Sequence, residues 1–111
     1  MPFPLYEAKA ELFRTLGHPA RIRVLELLQD GPLPVRELLA DIDIEASNLS
    51  QQLAVLRRAG LVSATREGTS VIYALPTPDV ANLLFSARQI LTLMLAGQGR
   101  LLTELRAEAR R

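Results

Sequence analysis

Between residues 61 and 75 the spacing of apolar side chains leaves the ~3.6-residue repeat of a helix for the two-residue repeat of a strand. Residues 61–67 and 70–75 alternate and are rich in β-branched side chains, and Gly68-Thr69 stands between them. That pattern predicts a β-hairpin. The chain on both sides of it is helical in period, so any fold must seat one hairpin among helices. Leu5, Ala8, Leu12, Phe13 and Leu16 make a stripe over 4–16. Gly17-His18-Pro19 breaks it, and Pro19 suits a first-turn position, where its missing N–H costs nothing. Ile22, Leu25 and Leu28 mark a second helix over 19–29, ended by Asp30-Gly31-Pro32. Val35, Leu38, Leu39 and Ile42 mark a short third helix near 34–41, and Leu49, Leu53 and Leu56 a fourth over 46–59, stopped by Gly60. After the hairpin, Pro76 and Pro78 precede one long helical stretch from Asp79. It carries Val80, Leu83, Leu84, Ala87, Ile90, Leu91, Met94, Leu95, Leu101, Leu102 and Leu105, with Gly97 and Gly99 as places where it can kink or split.

The expected fold is therefore mainly α with a small hairpin, in the order α-α-α-α-β-β-α. At 111 residues it is one domain, 1–111. With 49% hydrophobic and 23% charged residues the chain is no disordered polyelectrolyte. Aromatics are 5% and Trp is absent, so aliphatic side chains must fill the core. The absence of Cys excludes a disulfide framework, thiolate chemistry and Cys-based metal sites. A single His, His18, at a helix junction, is expected to cap or pack, and no metal site or cofactor is expected. Neither a catalytic triad, a Gly-rich phosphate loop nor a pocketed carboxylate pair is evident, which argues against an enzyme. No signal-peptide pattern or membrane-length apolar run is found, so the protein is expected in the cytoplasm.

The third and fourth helices, about 34–59, have helix-turn-helix dimensions, and the hairpin at about 61–75 is placed to be a wing. In such a unit the second helix enters the DNA major groove. Its face opposite the leucines carries Ser47, Asn48, Ser50, Gln51 and Gln52, amides and hydroxyls without a carboxylate. Asn and Gln can pair bidentately with adenine, and hydroxyls can serve bases or phosphates. An ordinary solvated face is the alternative. Arg57 and Arg58 close the helix, where they reach phosphates, pair with a local carboxylate or complement the helix dipole. Arg66, with Thr69 and Ser70, puts charge and hydroxyls on the wing. Over 46–75 three arginines face one glutamate, Glu67, whereas over 30–45 one arginine faces five acids. Positive charge thus gathers on the elements expected at DNA. Asp41, Asp43 and Glu45 sit near the turn, where a local role at a helix start is expected. Tyr73 is expected to pack on the wing.

Residues 16–25, Leu-Gly-His-Pro-Ala-Arg-Ile-Arg-Val-Leu, resemble the second-helix signature of the ArsR-type winged-helix repressors. Residues 48–62 resemble that family's recognition helix and exit turn, and Gly68 through Tyr73 to Leu75 its wing. The resemblance covers about 5–95. It implies a homodimer that represses transcription until a signal arrives. The family's Cys-bearing third-helix segment is here Pro34-Val35-Arg36-Glu37-Leu38, and the last helix has no His, so neither usual route to metal sensing applies. The family's usual recognition-helix His is Gln52 here, and Asp43 stands at a turn position that often carries Gly, a place where Asp tolerates left-handed backbone.

The last helix, about 79–109, has an apolar surface wider than a small monomer covers. Ala87, Ile90, Leu91, Met94 and Leu95 make one stripe, and Leu5, Leu12 and Phe13 a second. Such stripes mark an interface, and two-fold pairing of the first and last helices would set two recognition helices about one DNA turn (~34 Å) apart. The expected partners are double-stranded DNA with a palindromic operator, a second copy of the chain, and a small-molecule effector, with room for one between the last helices near Met94. The competing reading is a winged-helix interaction module without specific DNA binding, consistent with a net charge of only +1.

Overall fold

The computed structural model describes residues 4–96 and 99–109, and of 100–102 the backbone only. Gly97 and the side chains of Leu101 and Leu102, named above, lie outside the described residues. The chain divides into two units, Met1–Pro78 and Asp79–Arg111.

The first unit runs α1 (Leu5–Leu16), α2 (Pro19–Leu27) with a closing 3-10 turn (Leu28–Asp30), β1 (Leu33–Pro34), α3 (Val35–Asp41), α4 (Ala46–Arg58), β2 (Ser63–Glu67) and β3 (Ser70–Ala74). Local chemistry explains most of its boundaries. Pro19 opens α2, and the His18 Nδ1 accepts from the Ala20 N–H at 3.2 Å, the capping role expected of it. At the end of α4, Gly60 takes φ 78°, while the Leu61 N–H reaches the Leu56 carbonyl at 2.9 Å and the Gly60 N–H that of Arg57 at 3.0 Å. This pair of bonds is a Schellman closure, which satisfies the last carbonyls and turns the chain toward the wing. Between β2 and β3, Gly68 alone takes a positive φ, 62°, as a two-residue hairpin turn with Gly first requires.

The hairpin is one part of a three-stranded antiparallel sheet in the order β1-β3-β2. Sequence reading had no strand at β1, because Pro32-Leu33-Pro34 reads as a break. Leu33 pairs with Tyr73 and Pro34 with Ile72. Proline survives there because β1 is an edge strand with no further neighbour to bond. The sheet thereby ties the start of α3 to the wing. Beneath lies a core of Leu16, Val24, Leu25, Leu28, Leu38, Ile42, Leu49, Leu53, Leu56, Leu61 and Val62, all buried. Every helix of the unit contributes. Each such side chain adds roughly 1.5–3 kcal/mol by leaving water.

The second unit is two helices, α5 (Asp79–Met94) and α6 (Gly99–Ala109), so the long helical stretch from Asp79 is split, the outcome its glycines left open. Leu95 and Ala96 form a turn after α5, and Gly99 opens α6. Glycine, poor in helix propensity, thus stands at the first position of α6. Arg88 of α5 and Glu108 of α6 form an ion pair at 3.5 Å. No residue of α5 is buried. Ile90, Leu93 and Met94 keep 57, 81 and 69% of their surface exposed. No described helix is long and apolar enough to cross a membrane.

Candidate nucleic-acid interface

The turn from α3 to α4 sets how α4 is presented. The Ile42 N–H bonds back to the Leu38 carbonyl at 3.0 Å, and the Ile44 N–H to the Ile42 carbonyl at 2.9 Å. An i to i−2 bond of this kind makes a tight turn without left-handed backbone. Among the described residues only glycines have positive φ, so Asp43 does not adopt the left-handed conformation expected of it. Ile42 is buried and anchors the turn to the core.

Three leucines, Leu49, Leu53 and Leu56, hold one side of α4 in the core with essentially no exposed surface. The opposite side carries Ser47, Asn48, Ser50 and Gln51, all exposed, as the sequence implied. Gln52 departs from that expectation. Its side chain is 8% exposed and points inward. Its Oε1 accepts from Arg21 Nε at 2.8 Å, and its Nε2 donates to Asn48 Oδ1 at 2.9 Å. Arg21, on α2, also donates to the Thr15 carbonyl at 3.1 Å. A chain of hydrogen bonds thus runs from the end of α1 through α2 to the first turn of α4. Sequence reading missed Arg21. The geometric hint was that Gln52, one residue before Leu53 and three after Leu49, lies beside the leucine face rather than across from it.

Arg57 and Arg58 are exposed, and among the described residues neither takes part in an ion pair, so the local carboxylate expected for one of them is absent. Together with Ser50, Ala54 and Tyr73 of β3 they line an open cleft of about 440 Å³. Two guanidinium groups on one cleft give it a positive potential. On the wing, Arg66 and Thr69 are exposed, with Arg66 opposite Val71 in the β2–β3 register. Arg36, not singled out from the sequence, reaches Ser70 Oγ at 3.1 Å from α3 and so adds a third element's cation beside the wing. Its signal was its isolation as the one cation in an acidic stretch.

Of the acids near the turn, Asp41 has a local role. Asp41 pairs with Arg23 of α2 at 3.0 Å, and Glu26 with the same guanidinium at 3.3 Å. Partial burial works against the charge on Arg23, but its hydrogen bonds to Asp41 and Glu26 prevail and raise its pKa. This pair fastens α3 to α2 and neutralises one carboxylate beside the turn. Glu45 occupies the N-cap of α4 without a side-chain cap bond. Among the described residues no three His, Cys, Asp or Glu side chains gather as a metal site would require.

A family model described as bacterial regulatory protein, arsR family, matches residues 18–64. The HTH-type transcriptional regulator Rv0081 of Mycobacterium tuberculosis is 54% identical over 105 residues, which span 94% of this chain and 92% of that protein. The crystal structure of Rv0081 aligns with a TM-score of 0.79 at 56% identity, over 85% of this chain and 95% of that chain. The biofilm growth-associated repressor of Agrobacterium fabrum is 41% identical over 88 residues, 76% of this chain and 75% of the repressor. The homodimeric winged helix-turn-helix DNA-binding domain of Mb0332 from Mycobacterium bovis aligns with a TM-score of 0.70 at 28% identity, over 86% of this chain and 90% of that domain.

Proposed function

Since this chain belongs to the arsR family of bacterial regulatory proteins and has a winged helix-turn-helix fold, we propose that it is a homodimeric, sequence-specific repressor that leaves its operator when a signal binds. The observation that carries the reading is the exposed, uncharged row Ser47, Asn48, Ser50 and Gln51, backed by buried leucines and flanked by Arg57 and Arg58, which form no ion pair among the described residues. Hydrogen-bonding side chains on a rigid helix read base edges, and cations at its end and on the wing hold phosphates. In this reading Gln51 contacts bases, Arg57, Arg66 and Thr69 contact backbone, and Gln52 acts from behind through Asn48.

The dimer rests on the apolar faces that α1 and α5 each expose. Leu5, Phe13, Ala87, Ile90, Leu91 and Met94 are exposed, and Leu12 and Leu95 half-buried. A second copy covers them, and its recognition helix reads the second half of a palindrome in the next major groove. By similarity, the homodimeric Mb0332 domain supports the dimer and the Agrobacterium repressor supports repression. The signal is a small molecule held near Met94 between the last helices, and the protein works in the cytoplasm, where the DNA is.

Fluorescence anisotropy with the DNA upstream of its own gene, at two salt concentrations and against random competitor, tests the reading. Tight, salt-sensitive binding that resists competitor is expected. In that assay Arg66→Ala lowers the slope of log affinity against log salt by about one unit. Dimerisation without salt-sensitive DNA affinity would favour the interaction module instead.

A further inference from the structure

The hydrogen-bond chain behind α4 has a direction, and the direction reaches the DNA-facing surface. A guanidinium N–H can only donate. The Gln52 atom 2.8 Å from Arg21 Nε is therefore Oε1, the acceptor. The other half of the same amide, Nε2, has only protons to offer, and it lies 2.9 Å from Asn48. Asn48 must answer with Oδ1. With one Oδ1 lone pair engaged and that oxygen turned toward Gln52, the group that Asn48 turns to solvent is Nδ2, a donor. Burial enforces the arrangement, because Gln52 is 8% exposed and an amide turned the wrong way would set donor against donor out of reach of water. Among the described residues no buried side-chain nitrogen or oxygen lacks a partner, so the chain is fully satisfied as it stands.

This polarity bears on what Asn48 can read. A bidentate asparagine–adenine pair needs Oδ1 and Nδ2 turned together toward the adenine N6 and N7. Here Oδ1 is turned back toward Gln52. We infer that Asn48 meets DNA as a donor, favouring guanine or thymine, whose major-groove edges offer acceptors alone, over adenine, whose N7 accepts but whose N6 amino group faces a donor with a donor, and that Arg21 and Gln52 are the positioning residues that impose this choice. The inference rests on the reading of α4 as the recognition helix.

Selection of binding sites from a randomised duplex library, with the full-length protein and two variants, tests it. The unaltered protein is expected to enrich guanine or thymine about tenfold at one position. Asn48→Ala flattens that position and leaves the others. Gln52→Glu keeps an acceptor for Arg21, but its second oxygen can only accept. It therefore draws the Asn48 NH2 inward, turns Oδ1 out, and moves the preference to adenine or cytosine, whose amino groups donate. The inference is overturned if the position flattened by Asn48→Ala prefers adenine or cytosine in the unaltered protein, if Asn48→Ala flattens none, or if Gln52→Glu folds and leaves the base unchanged. Enrichment of no sequence at all would instead remove the recognition-helix reading. In that case, or if Gln52→Glu does not fold, side-chain amide exchange by NMR in the free protein decides. Slow exchange at the Gln52 NH2 with fast exchange at that of Asn48 supports the polarity, and any other pattern overturns it.

Discussion

Leu49, Leu53 and Leu56 in α4 have essentially no exposed surface, whereas Ile90, Leu93 and Met94 in α5 keep more than half of theirs. Both helices are rich in aliphatic residues. In α4 those residues occupy one side and the other side is polar, which suits a helix seated on a core and facing solvent. In α5, beyond its first residue, apolar residues occur nearly all round, interrupted by Asn82, Ser86, Arg88, Gln89 and Thr92. A helix of that kind is stable where it is covered on more than one side. The lesson is that residues 4–78 hold a core of their own, while α5 carries apolar surface suited to a second copy of the chain.

Truncating a buried leucine of α4 should have the largest effect. Leu53→Ala is expected to lower stability by about 2–5 kcal/mol, read from urea unfolding. A loss under ~1 kcal/mol would mean that α4 is not part of the cooperative core. On α5 the opposite signature is expected. Met94→Glu should weaken the dimer by about 10- to 100-fold, equivalent to ~1.4–2.8 kcal/mol, in sedimentation equilibrium, while the unfolding of the monomer changes little. An unchanged dimer would take the α5 face out of the interface. Smallest is Asp41→Asn, which removes one of the two carboxylate partners of Arg23 at a partly exposed site. It should cost less than ~1 kcal/mol of stability and, by removing a carboxylate near the turn, tighten binding to random DNA. Weaker binding to random DNA would mean that the Asp41–Arg23 pair matters chiefly for how α4 is presented.

Much of this molecule was legible in its residue order. The helix and hairpin boundaries depend on neighbours a few positions apart. Pro19 with His18, Gly60 after Ala59, and Gly68-Thr69 each act locally, so their roles can be read without the fold. The leucine spacing of α4 likewise predicted its buried side, and with it the exposure of Ser47, Asn48, Ser50 and Gln51. Strand β1 was not legible, since two prolines flank Leu33 and only pairing with β3, some 40 residues on, makes it a strand.

Gln51 and Gln52 draw the final line. They are adjacent and chemically identical, and the sequence alone put both on a polar, DNA-facing surface. It determined the helix, its leucine side and its supply of amides, because those follow from a 3.6-residue period and side-chain type. Only the tertiary structure separated the two glutamines. Arg21, 31 residues away, brings a donor to one and not the other. A buried amide takes its orientation from whatever partner the fold provides, and through Asn48 that orientation extends to the surface.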